Sequence, residues 1–140
     1  MSEAVLDASA VLTLLLGEPG ADKVQATLPG ALISAVNLAE VISKLCERGM
    51  PSDQAALAID SIGVEIVAFD GEQARLSGEL RPLTRILGLS LGDRACLALA
   101  RLRNLPAITA DVAWAGVPDC RVILIRGGGT RMTVSRGAST

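Results

Sequence analysis

Hydrophobic positions along the chain fall into two alternating patterns. Ala4-Val5-Leu6, Ala31-Leu32-Ile33-Ser34, Val64 to Phe69, Ala107-Ile108-Thr109 and Val122 to Ile125 are short, nearly unbroken apolar runs. Runs of this length between turn signals predict buried strands, the more so where β-branched residues dominate. The intervening stretches carry apolar residues at helical spacing. Residues 35–48 are the clearest: Leu38, Val41, Ile42 and Leu45 stand at i, i+3, i+4 and i+7, and Gly49 is placed to end the helix. Further helices are predicted over residues 9–16, 21–28, 71–80 and 90–102, and from Pro51-Ser52-Asp53 through Ile62. Gly17-Glu18-Pro19-Gly20 and Pro29-Gly30 break the chain after the first two, and Pro82 marks the end of the polar helix that starts near Gly71.

Strands alternating with helices predict an α/β architecture, with a parallel sheet of five strands covered by helices on both faces. The 140 residues suffice for one domain, which at this size buries roughly two thirds of the surface its unfolded chain exposes. Residues 1–126 are assigned to that domain. Residues 127–140, rich in Gly, Arg, Ser and Thr and opening on Gly127-Gly128-Gly129, form a C-terminal tail with no predicted element. Half of the chain is hydrophobic, yet Phe69 and Trp114 are its only aromatic residues, so the core is built from Leu, Ile, Val and Ala.

In open parallel sheets, sites form outside the carboxyl ends of the strands. Asp7 and Asp111 come directly after the first and fourth strands, and Glu40 and Asp93 lie near the beginnings of two helices, so the fold can bring four carboxylates to one edge. Each has an ordinary explanation. Asp7 can cap the helix beginning near Ser9, and Asp111 can cap or start a turn. Glu40 stands four residues before Lys44 in the favourable ion-pair order, and Asp93 falls three residues after Ser90, close to a capping box. Together they pose a problem of charge: two carboxylates about 4 Å apart repel by roughly 4 kcal/mol at an effective dielectric near 20. Protons or a divalent cation must neutralise part of it.

Histidine is absent from the chain. Ser-His-Asp and Cys-His catalysis are therefore excluded, and zinc is disfavoured. Mg²⁺ or Mn²⁺, held by carboxylates and waters, remains the fitting cofactor. Ser9, Asn37 and Thr109 stand near Asp7, Glu40 and Asp111 in sequence. They either orient the carboxylates and bound waters or serve only as caps and turn residues.

The segments Val5-Leu6-Asp7-Ala8-Ser9-Ala10, Asn37-Leu38-Ala39-Glu40, Leu89-Ser90-Leu91-Gly92-Asp93-Arg94-Ala95 and Thr109-Ala110-Asp111-Val112-Ala113-Trp114 occur in this order. The chain resembles PIN-domain ribonucleases over Val5 to about Ile125, and more narrowly the VapC-type toxins of type II toxin-antitoxin systems. The resemblance implies a three-layer α/β/α domain in which Asp7 and Asp93 are the principal Mg²⁺ or Mn²⁺ ligands. Glu40 and Asp111 would be further ligands, directly or through water. It also implies endoribonuclease activity, in which water activated by the metal attacks an RNA phosphodiester. A small VapB-like antitoxin blocking the active site and a homodimer complete what the resemblance implies.

Other features add less. Arg81, Arg85 and Arg94 flank the Asp93 segment and can hold RNA phosphates or simply be solvated, and Trp114 can stack on a base or lie buried. A net charge of -2 argues against binding a polyanion through bulk charge. Arg121, Arg126, Arg131 and Arg136, with no acid after Asp119, make a basic end that contacts a partner or is solvated. Three widely spaced cysteines fit neither disulfides nor a metal pair. No signal peptide or membrane span is predicted, so a soluble cytoplasmic protein is expected. Two rival readings remain. A receiver-type or dehalogenase-type phosphotransfer domain lacks its late lysine here, since only Lys23 and Lys44 are present. The alternative from another class is a binding module whose acidic pocket receives a basic peptide without nuclease activity.

Overall fold

The computed structural model describes residues 3–126 and 132–135. Its sheet contains β1 (Ala4–Leu6), β2 (Ala31–Ser34), β3 (Glu65–Val67), β4 (Ala107–Thr109), β5 (Cys120–Leu124) and β6 (Met132–Ser135), in the order β3-β2-β1-β4-β5-β6. The first five are parallel, and β6 adds antiparallel to β5. The stretch expected to be a structureless tail thus supplies a sixth, edge strand, while residues 127–131 and 136–140, with Arg131 and Arg136, lie outside the described residues. The helices are α1 (Ala8–Leu16), α2 (Ala21–Gln25), α3 (Ala35–Glu47), α4 (Ser52–Ser61), α5 (Gly71–Glu79), α6 (Arg81–Thr84) and α7 (Leu91–Arg103), and a 3₁₀ turn spans Val112–Gly116.

Period-two alternation divides the strand residues between two cores. Val5, Leu32, Ala107 and Val122 pack on one face with Leu97, Leu99 and Trp114. Leu6, Ile33 and Ile108 pack on the other with Val11, Val41, Leu45 and Ile59. Helices α1 to α4 therefore cover one face and α5 to α7 the other, giving the three layers. Both faces being buried explains why the strands read as continuous apolar runs. No described helix is long and apolar enough to cross a membrane.

The chain steps from β1 outwards to β2 and β3, then returns across the sheet to β4 and β5. Direction reverses between β1 and β4, which pair side by side. A crevice opens at such a switch point beyond the carboxyl ends of the two strands.

Local departures from the sequence expectation have local causes. Pro82 does end α5, but it also stands in the first turn of the short α6, where its missing N–H costs nothing. Strand β3 is shorter than the run that contains it, because Asp70 already caps α5 by accepting a bond from the Gln73 N–H at 3.0 Å. Of the basic end, Arg121 donates to the Asn104 carbonyl, and Arg126 donates to Thr13 and Pro19 and pairs with Glu18 at 3.6 Å. Both described arginines are thus engaged within the chain.

Gly20 enters α2 with φ 101°, and a β-carbon built there would lie 2.7 Å from the Ile125 carbonyl oxygen. Gly20→Ala meets both strain and a clash, so it should lower stability by about 1–3 kcal/mol. Urea denaturation followed by circular dichroism checks this, and an unchanged midpoint contradicts it.

Candidate active site

Asp7 stands just past β1 and caps α1 from extended backbone, at φ -85° and ψ 177°. Its Oδ1 accepts from the Ala10 N–H at 2.8 Å and from the Ser9 hydroxyl at 2.7 Å, and its Oδ2 accepts from the Thr109 hydroxyl at 2.6 Å. Thr109 Oγ1 and Ser9 Oγ in turn accept from the Asp111 and Ala110 N–H groups, each at 3.0 Å. The two hydroxyls approach each other to 3.3 Å. With both protons directed at Asp7, that approach is a contact rather than another bond. A network of two side chains thus joins the end of β1 to the end of β4.

Glu40 lies in the second turn of α3. Its Oε1 accepts from Asn37 Nδ2 at 2.9 Å, and the same nitrogen donates to the Gly92 carbonyl at 3.0 Å. The Glu40 carboxylate sits over Gly92, where an added β-carbon would come within 2.5 Å of Oε1. The next residue, Asp93, completes a capping box with Ser90: its Oδ2 accepts from the Ser90 N–H at 2.9 Å, and its own N–H donates to Ser90 Oγ at 3.2 Å. Asp111 is exposed and caps the 3₁₀ turn, with Oδ1 accepting from the Ala113 N–H at 3.0 Å.

The four acids therefore gather at one edge of the sheet, and the capping roles of Asp7, Asp93 and Asp111 are realised alongside this convergence, whereas no ion pair between Glu40 and Lys44 forms among the described residues. Asp7 is 4% exposed. Burial pushes its carboxyl up from 3.8 to about 6, against the lowering influence of Thr109, Ser9 and the Ala10 N–H, and the charge of Asp93 adds to the rise. Asp93 is also raised, first by burial and further by Asp111, while Ser90 and Arg94 lower it. Cys96, one turn along α7, is fully buried, and its thiol is pushed up by burial and then by Asp7, Asp93 and Glu40.

Oxygen donors without histidine or exposed thiol fit Mg²⁺ or Mn²⁺. Asn37 Oδ1 is buried with no hydrogen-bond partner among the described residues, which leaves a polar atom beside Glu40 for a guest to satisfy. Among those residues no three acidic or thiol side chains form a group that could grip one ion together. Each carboxylate is held by N–H or O–H donors of its own segment or neighbour. Such a spread suits a cation that keeps several of its waters, as Mg²⁺ does.

Arg81 and Arg94 direct their hydrogen bonds to the framework, although the charge of Arg94 still reaches Asp93. Arg94 Nη1 donates to the Ser77 carbonyl at 3.0 Å, Arg81 Nη1 to that of Leu89 at 3.4 Å, and Arg85 is exposed. Trp114 is fully buried, so of its two readings the core position holds and base stacking does not. Gly92, whose bare backbone lies against the Glu40 carboxylate, is a position that the sequence pattern alone did not single out. A glycine in the first turn of a helix, beside a candidate ligand, was the available signal of a close approach.

In chelator, the buried Asp7 gives a pH dependence of definite sign. Its folded value of about 6 exceeds the unfolded value of 3.8, so the protonated form favours the fold. Its contribution is full below about pH 4 and is lost as the pH rises through about 6, amounting to about 3 kcal/mol at 1.36 kcal/mol per unit. Thermal midpoints taken from pH 4 to 7 should fall for the native sequence and fall less for Asp7→Asn. Parallel profiles would contradict the assignment.

The PIN domain family model matches residues 4–119. Among solved structures, a toxin-antitoxin complex from Klebsiella pneumoniae shares 25% identity over 89% of this chain and 98% of that one, with a TM-score of 0.71. DNA-bound VapBC from Salmonella typhimurium has a similar backbone at 18% identity, over 90% and 100% of the two chains, with a TM-score of 0.71. A Mycobacterium tuberculosis VapC toxin described as cleaving the sarcin-ricin loop matches at 18% identity over 75% and 87%, with a TM-score of 0.62. No match was found among curated proteins. The family match spans strands β1 to β4, the switch point and all four acids, and the chain belongs to the PIN domain family.

Proposed function

We propose that this chain is an Mg²⁺- or Mn²⁺-dependent endoribonuclease, the VapC-type toxin of a type II toxin-antitoxin pair. The observation that carries the reading is the buried Asp7 carboxylate, fixed through both oxygens at the switch point, with Asp93 and Asp111 close enough for the charges to be felt in sequence from one to the next. Asp7 and Asp93 would hold the cation, with Glu40 and Asp111 reaching it directly or through water. Bound there, the cation supplies charge that makes water a stronger nucleophile near neutral pH and stabilises the charge growing on the phosphate.

The chain's own residues contribute placement. Ser9 and Thr109 fix the Asp7 carboxylate and so spare it reorganisation during the reaction. Asp111, the most exposed of the four, is free to orient a water at the mouth of the pocket. The solved neighbours described as toxin-antitoxin complexes support a small VapB-like antitoxin as partner. A basic segment of such a partner is electrostatically matched to this pocket and would block it. A homodimer acting in the cytoplasm, on RNA, completes the proposal.

RNA cleavage should require Mg²⁺ or Mn²⁺, stop in chelator, and fall by about 100-fold or more in Asp7→Asn and Asp93→Asn. Chelator-resistant cleavage, or full activity in the variants, would overturn the reading. Calorimetry that finds no Mn²⁺ binding dependent on Asp7 would favour instead an acidic module for a basic peptide. Gly92→Ala should cut cleavage about 10-fold by displacing Glu40. Gly78→Ala, where an added β-carbon meets nothing within 4 Å, should leave it unchanged.

A further inference from the structure

Asn37 makes hydrogen bonds that cross from one helical layer to the other. It lies in the first turn of α3, is 1% exposed, and donates both protons of one nitrogen, to Glu40 Oε1 and to the Gly92 carbonyl at the start of α7. Both partners are acceptors only, which fixes which end of the amide is nitrogen. Among the described residues no other hydrogen bond reaches the Glu40 carboxylate. Nor does Asn37 Oδ1 find a donor there. A buried amide left with an unpaired acceptor contributes little net stability, so the arrangement is poorly explained as a structural rivet alone.

We propose that Asn37 is a positioning residue that clamps Glu40 to the first turn of α7 and thereby sets where the Glu40 carboxylate stands relative to Asp93 when the pocket takes up its cation. The inference rests on the reading given under the proposed function and deepens it. Residue chemistry limits the replacements. Aspartate in this place would repel Glu40, and serine or threonine has one proton for two acceptors. The bare backbone at Gly92 is the other half of the device, because a side chain there would push the carboxylate away from the clamp.

The test uses the full chain, with Mn²⁺ affinity read by calorimetry and folding in chelator read by circular dichroism. Asn37→Leu, of similar volume, should fold, bind Mn²⁺ about 10-fold more weakly, and lose kcat for RNA cleavage with KM changed by less than about twofold. In a Glu40→Gln background the same replacement should have no further effect on Mn²⁺ affinity, because the clamp acts through Glu40. Asn37→Leu with native affinity, or an equal loss whether or not Glu40 is present, would overturn the inference. Should Asn37→Leu fail to fold, Asn37→Ser is judged by the same two results. Native protein without Asp7-dependent Mn²⁺ binding overturns the proposed function itself, whereas native binding that ignores Asn37 overturns only the clamp.

Discussion

A carboxylate buried at 4% exposure, held by two hydroxyls and one N–H, is the constraint around which the rest is arranged. Leaving a charge unpaired in such a place is expensive, and three hydrogen bonds only partly offset the cost, as the upward displacement of Asp7 shows. The remaining offset comes from outside the chain as protons or a cation. A fold chosen for stability alone would put an apolar residue at the centre of its sheet edge. This one instead holds a carboxylate there.

The site also lies where the two helical layers meet. Asp7 and Glu40 come from the layer of α1 and α3, and Asp93 from α7 on the opposite face. The sheet edge between them brings Asp111 beside Asp7 through the pairing of β1 with β4. Helices α3 and α7 pack against each other there, and the Asn37 carboxamide ties their first turns together. The geometry of the acids thus depends on the docking of layers rather than on one rigid element.

Much of this was legible in the sequence because burial on both faces leaves unbroken apolar strands, and the acids sit at positions that the strand ends define. Strands β1, β2 and β4 were bounded correctly for that reason, and Asn37, Ser9 and Thr109 were visible as polar residues beside the acids. The partners of those side chains were not legible. Asn37 reaches Gly92 across 55 positions and Thr109 reaches Asp7 across 102, and local pattern contains no record of either. Strand β6 escaped because it pairs at the edge through backbone bonds, which a polar, glycine-led stretch does not advertise. The arginines beside Asp93 could be read as phosphate contacts or as solvated side chains, and the carbonyl groups that Arg81 and Arg94 bind were not legible from local pattern.

That long reach between Asp7 and Thr109 has a temporal meaning. During synthesis Asp7 leaves the ribosome ahead of the hydroxyl that fixes its second oxygen, which emerges about a hundred residues later. Pairing of β4 with β1 closes the largest loop in the parallel sheet and belongs among the slow, non-local steps of folding. The acidic pocket is consequently among the last features of the domain to exist. A growing chain carries Asp7 long before it carries the hydroxyl that anchors it, and a truncated product that ends ahead of β4 lacks that anchor.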